Sequence, residues 1–107
     1  MSIKKIISAV FRYETDTQSG GHSGFFEYNP EIELGELVTA LEFVGANAYI
    51  DNLKIAWERG EFHDHFDTDK TFGTTQPRLV DILQEFVVSN ANDLIPGVHA
   101  KTREEKQ

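Results

Sequence analysis

SGGHSGFFEYNPEIELGELVTALEFVGANAYIDNLKIAW, residues 19–57, is the stretch whose reading decides the fold. It reads as a glycine-rich bend, an aromatic cluster, and two amphipathic helices meeting at a corner. Asn29-Pro30-Glu31-Ile32-Glu33 has the make-up of a helix start: Asn29 can cap, Pro30 suits the first helical position, and the carboxylates sit where the macrodipole favours them. Onward to Val44, the residues Leu34, Leu37, Val38, Leu41 and Val44 form one stripe, with Glu33, Glu36 and Glu42 largely off it. Gly45 is the expected stop, because a left-handed residue is the commonest C-terminal device of a helix. A second helix from Ala46 or Asn47 carries Ala46, Ile50, Leu53 and Trp57 on one side and ends at Gly60. So short a connection forces the two helices to turn sharply on each other.

Working outward toward the N-terminus, residues 16–24 are polar and rich in glycine, and the pair Gly20-Gly21 predicts a sharp turn. Phe25, Phe26 and Tyr28 follow and are expected to plug one end of the core. Before the bend, Ile3, Ile6, Ile7, Val10 and Phe11 recur at helical spacing over residues 3–13. Toward the C-terminus, residues 61–75 read as a long polar loop, with Phe62, Phe66 and Phe72 expected to pin it to the core. Thr75-Gln76-Pro77 then opens a last helix, whose buried face is Leu79, Ile82, Leu83, Phe86 and Val87. Ile95-Pro96-Gly97 closes a single helical domain of residues 1–97, and residues 98–107 read as a disordered charged tail. The expectation is an all-α fold: a compact bundle of four or five helices with a tight helix–helix corner at Gly45.

Charge narrows the function classes. The chain of 107 residues carries a formal charge of −8. Over residues 14–53 the carboxylates are Glu14, Asp16, Glu27, Glu31, Glu33, Glu36, Glu42 and Asp51, with no Lys or Arg among them. Nucleic-acid binding needs clustered cations to displace counterions from phosphates, so direct contact with DNA or RNA is not expected. A basic protein surface would instead be attracted and steered. No stretch is long enough for a membrane span, and the apolar run near Met1 ends at Arg12, too soon for a signal peptide. There is no cysteine, so neither a disulfide nor a thiolate metal site is available. A cytoplasmic protein is expected.

Three constellations invite chemistry. His63-Asp64-His65-Phe66-Asp67-Thr68-Asp69 offers imidazole and carboxylate ligands, with His63, His65 and Asp67 as metal candidates and His22 as a distant fourth. The spacing is poor: on a helix the two histidines point to different faces, and a calcium loop would need a glycine turn and a terminal Glu. No metal or cofactor is expected. Gly21-His22-Ser23-Gly24 has Phe25 where a nucleophile elbow needs glycine two residues after the serine, and no strand leads into it. His22 is expected to tuck its ring against the aromatics or to bond a backbone carbonyl. The pairs Glu31 with Glu33 and Asp67 with Asp69 read as surface charge, without the burial that acid–base work at neutral pH requires.

The succession Glu14, Gly20-Gly21-His22, Phe25-Phe26, Asn29 and then Ala40-Leu41-Glu42-Phe43-Val44-Gly45-Ala46 resembles the DNA-mimic protein family, a group of small acidic all-helical domains. The likeness covers residues 3–95. Ser19 stands where that family usually has asparagine, and the loop of residues 63–75 has no counterpart in its pattern. The resemblance implies a helical domain, often dimeric, whose surface carboxylates imitate the phosphate spacing of duplex DNA and occupy a DNA-binding protein. The partner-binding face it implies combines Glu27, Glu31, Glu33, Glu36 and Glu42 with Asp51. The first reading is therefore a non-enzymatic acidic module that binds a basic protein, such as a DNA-binding regulator. Its rivals are an immunity or antitoxin protein that blocks a basic nuclease, a metal-dependent enzyme built on residues 63–69, and a small structural subunit.

Overall fold

The computed structural model of the chain describes residues 1–91. Among the described residues there are five α-helices, one 3₁₀ turn and no strand: α1 (Ile3–Tyr28), α2 (Leu34–Val44), the 3₁₀ turn (Asn47–Tyr49), α3 (Ile50–Arg59), α4 (Phe66–Thr74) and α5 (Leu79–Ser89). The all-α bundle and its corner at Gly45 are as expected. The close of the domain at Ile95-Pro96-Gly97 and the tail of residues 98–107 lie outside the described residues. α1 is the axis of the bundle: α2, α4 and α5 each pack on it, and α3 packs against α2 and α4.

α1 runs to Tyr28, well past the expected residues 3–13. Residues 16–24 are helical on both sides of a kink, and the sharp turn expected at Gly20-Gly21 is that kink: Gly21, with φ 70° and ψ −175°, leaves helical geometry and joins two helical runs. The reason is tertiary. Ile6, Val10, Tyr13 and Thr17 continue one buried stripe, and beyond the kink His22 and Phe25 rejoin it. Burial of that stripe outweighs the weak helix propensity of glycine and serine.

Asn29 ends α1 and does not start α2. Its backbone N–H and its side-chain amide both donate to the Phe25 carbonyl, at 3.1 and 2.9 Å, and the amide also reaches Asp16 Oδ2 at 2.7 Å. With Asn29 spent in this way, α2 begins only at Leu34, behind Glu33. Residues 61–75, expected as loop, contain α4. Asp67 and Asp69 occupy its first turn, where the dipole favours anions, and Asp64 Oδ1 accepts the Phe66 N–H at 2.9 Å. Of the three phenylalanines meant to pin this segment, only Phe72 is buried; Phe62 is 96% and Phe66 75% exposed.

The core joins Leu37, Ala40 and Leu41 of α2, Leu53 of α3 and Leu79 and Leu83 of α5 to an aromatic spine. Tyr13 meets Phe25 and Phe72 edge-on, with centroids 5.1 and 5.3 Å apart, and Phe72 meets Tyr49 at 5.6 Å. The Tyr49 hydroxyl donates toward the carbonyls of Thr75 and Pro77, at 3.1 and 2.7 Å, tying the start of α5 to the corner after α2.

Candidate functional site

The helices set the six acidic residues singled out above by burying the opposite faces. α2 turns Leu37, Ala40, Leu41 and Val44 inward, leaving Glu42 exposed and Glu36 half-buried; α3 buries Ile50 and Leu53 and leaves Asp51 out. Glu27 lies in the last turn of α1, and Glu31 and Glu33 lie in the connector to α2; all three are exposed. Two of the six are met by cations from the part of α1 that precedes the carboxylate-only stretch. Arg12 Nη1 donates to Glu31 Oε1 at 3.0 Å, and Lys5 Nζ lies 3.5 Å from Glu36 Oε2. Together they line a cavity of about 300 Å³. Glu27, Glu33, Glu42 and Asp51 have no ion-pair partner among the described residues.

Helix dipoles deepen the negative character. Carboxylates are costly near a helix C-terminus, yet Glu27 and Glu42 sit there, and neither α1 nor α2 has a basic residue in its last turn. Neither side chain makes a hydrogen bond or an ion pair among the described residues, and both are exposed.

Residues 63–69 do not assemble a metal site. Among the described residues no group of three or more His, Asp or Glu side chains could hold an ion. Their donors and acceptors are used elsewhere. His65 Nε2–H donates to the Gly60 carbonyl at 2.7 Å, and its Nδ1 lies 3.2 Å from Thr68 Oγ1. His63 Nδ1–H donates to the Asp64 carbonyl at 2.7 Å. Asp67 accepts a two-pronged bond from Arg59, at 2.6 and 3.0 Å, which pulls its carboxyl down to about 2. The reading of this segment as a metal-dependent active centre therefore has no support in the geometry.

Sequence reasoning missed the most organised polar cluster. His22 is fully buried, with Nδ1 2.7 Å from Asp69 Oδ1 and Nε2 2.8 Å from the Tyr13 hydroxyl. The His22 backbone N–H donates to the same Asp69 oxygen at 2.9 Å. A carboxylate can only accept, so the proton sits on Nδ1, and Nε2 accepts from Tyr13. The ring packs among Tyr13, Phe26, His65 and Phe72, as expected, but its polar partners are side chains and no backbone carbonyl. Burial pushes the imidazole down, against the upward pull of Asp69, and burial also pushes the Tyr13 phenol far up. The order Tyr–His–Asp resembles a relay for nucleophilic catalysis. Tyr13 has no solvent exposure, so no substrate reaches it, and the cluster serves the fold. Ser23 is no nucleophile activated by His22, since its hydroxyl turns toward the His63 carbonyl at 3.5 Å. No local signal reveals the cluster, because Asp69 lies 47 residues from His22.

One carboxylate is buried without full satisfaction. Among the described residues Glu14 Oε2 has no hydrogen-bond partner, nor has Thr17 Oγ1 one turn on, and burial raises the Glu14 carboxyl, with Gln18 and Arg78 pulling it back.

In comparison with known proteins, the model of the family described as DMP19-like protein matches residues 2–101. No curated protein and no solved structure matches the chain.

Proposed function

This chain belongs to the DMP19-like protein family, and from that premise we propose that it is a non-enzymatic acidic module that occupies a basic DNA-binding protein in place of DNA. The observation that carries this reading is the set of carboxylates at Glu27, Glu33, Glu42 and Asp51, exposed and without cationic partners among the described residues. Glu31 and Glu36 join them at little cost, since exposed ion pairs such as those with Arg12 and Lys5 contribute only about 0–1 kcal/mol and exchange readily for a partner's cations. A non-enzymatic role is supported by the inaccessible Tyr13 and by the occupied donors of residues 63–69.

The test is capture followed by competition. Immobilised protein should retain a cationic DNA-binding protein at low ionic strength and lose it steeply as salt shortens the Debye length from about 30 Å at 0.01 M to about 8 Å at 0.15 M. Duplex DNA added to the captured protein should release it. Replacing Glu27, Glu33 and Glu42 together by Gln should weaken capture while leaving helical content unchanged. Retention of the partner in a ternary complex with duplex DNA would sink the reading.

A further inference from the structure

A second cavity, of about 270 Å³, lies beside the self-neutralised one and shares Ile32 with it. Its walls include Phe26 and Asn29 from the end of α1, Trp57 and Gly60 from the end of α3, and Glu61. We propose that this cavity receives an arginine side chain of a basic partner protein, an assignment that rests on the function proposed above and adds to it a specific anchor.

Three features point to a cation of that shape. Trp57 and Phe26 are half-buried and stand nearly perpendicular, with centroids 5.6 Å apart and planes at 83°. Aromatic faces attract cations, tryptophan most strongly, and the flat guanidinium stacks on them better than ammonium does. Glu61 supplies a carboxylate with no ion-pair partner among the described residues. Two helix C-termini meet here, since Asn29 and Gly60 are the C-caps of α1 and α3. The carbonyls of Phe26, Glu27 and Tyr28, and those of Trp57, Glu58 and Arg59, accept no backbone N–H among the described residues. Such helix ends carry partial negative charge and favour a cation.

The protein's own nearby cation is engaged elsewhere. Arg59, the basic residue in the last turn of α3, is held by Asp67 and does not line the cavity. The neighbouring cavity is lined by Lys5 and Arg12, already paired with Glu36 and Glu31; in this one the only charged lining residue is the acid Glu61. Its size suits one long side chain and falls short of the usual range for a drug-sized ligand, about 300–1,000 Å³. Tryptophan and arginine are also among the residues enriched where interface binding energy concentrates.

Trp57 is the sole tryptophan, so its emission reads occupancy of the cavity directly. The full chain is titrated with the blocked peptide acetyl-Gly-Arg-Gly-amide and, separately, with the same peptide carrying neutral citrulline. The expected result is a saturable change with arginine, none with citrulline, and binding weakened about two- to fivefold in Glu61→Gln. Circular dichroism checks that this variant keeps its helices. Equal responses to arginine and citrulline, or an unchanged affinity in Glu61→Gln, would overturn the proposal. So would emission that shifts on diluting the chain alone with a parallel fall in mass, since the occupant would then be a second copy. If the peptide fails while DNA-competed capture of a basic protein persists, the cavity assignment falls and the wider reading stands. If the peptide binds as described and capture fails, the cavity assignment holds and the wider reading falls.

Discussion

Gly21 and Gly45 both stand where the chain leaves helical geometry, and both have positive φ, 70° and 86°. Their surroundings differ. Gly45 has ψ near 21°, the left-handed conformation, and a Cβ built there would meet open space. Gly21 has ψ −175°, a region that only glycine occupies without strain, and a Cβ there would overlap Asp69 Oδ2. One break follows from the chain's local preferences and the other from a contact between segments far apart in sequence. A glycine that ends a helix by its own conformation can be replaced at modest cost, whereas one that admits a distant side chain cannot.

The largest effect is therefore expected at Gly21. Gly21→Ala combines backbone strain with loss of the two His22–Asp69 hydrogen bonds and should cost about 3–5 kcal/mol in urea denaturation. The contrast sharpens in double variants. Gly21→Ala with Asp69→Ala should cost less than the sum of the two, because removing the carboxylate clears the overlap, while Gly21→Ala with Gly45→Ala should add. Strict additivity for the first pair would break the comparison.

A smaller effect separates the two regions by pH. Burial lowers the folded-state value of His22 below its ordinary 6.5, so between those values the unfolded chain holds a proton that the folded chain lacks. Stability should then fall as pH drops below 6.5 and level off once the folded-state value is passed. Tyr13, Asp69 and His65 are the titratable groups facing the ring. Glu14 acts with opposite sign, its raised carboxyl becoming less costly as pH falls, and the Arg59–Asp67 pair titrates only between 3.8 and about 2. His22→Gln isolates the histidine: it should flatten the slope of stability against pH just below the ordinary histidine value. Gly45 variants should leave that slope intact. A slope unchanged in His22→Gln would show that the imidazole is not the titrating group.

The same division explains what was legible in the sequence. The stripe of α2, its stop at Gly45 and the buried face of α5 are short-range patterns, and each is present in the fold, whereas the helix expected from Ala46 or Asn47 opens as a 3₁₀ turn over Asn47–Tyr49 and becomes α3 only at Ile50. The helical course of residues 16–24 was partly legible, since Tyr13 and Thr17 extend the spacing of Ile6 and Val10, but the glycines argued locally for a turn. Asn29 is a strong cap by composition; only the contact to Asp16 and Phe25 shows that it closes one helix and does not open the next. The acidic residues were legible as residue types. Pairing of Glu31 and Glu36 was not, because Arg12 and Lys5 reach them across the α1–α2 interface from outside the carboxylate-only stretch.

The smallest effect belongs to the corner after α2. Two bonds close this helix end: Gly45 N–H donates to Glu42 O at 3.1 Å, and Ala46 N–H to Leu41 O at 2.8 Å. Ala46 and Leu41 are both fully buried, supplying the apolar contact that accompanies this kind of cap. With open space around the missing Cβ, a substitution meets only the cost of the left-handed conformation. Gly45→Ala should therefore lower stability by about 1–2 kcal/mol, and Gly45→Asn by less, because asparagine tolerates that conformation through local hydrogen bonding. The ranking Gly, Asn, Ala, read from urea midpoints, is what a locally determined corner requires. If Asn proved as costly as Ala, a neighbour not evident from the surroundings of Gly45 would have to be excluding its side chain, and the corner would resemble the Gly21 kink.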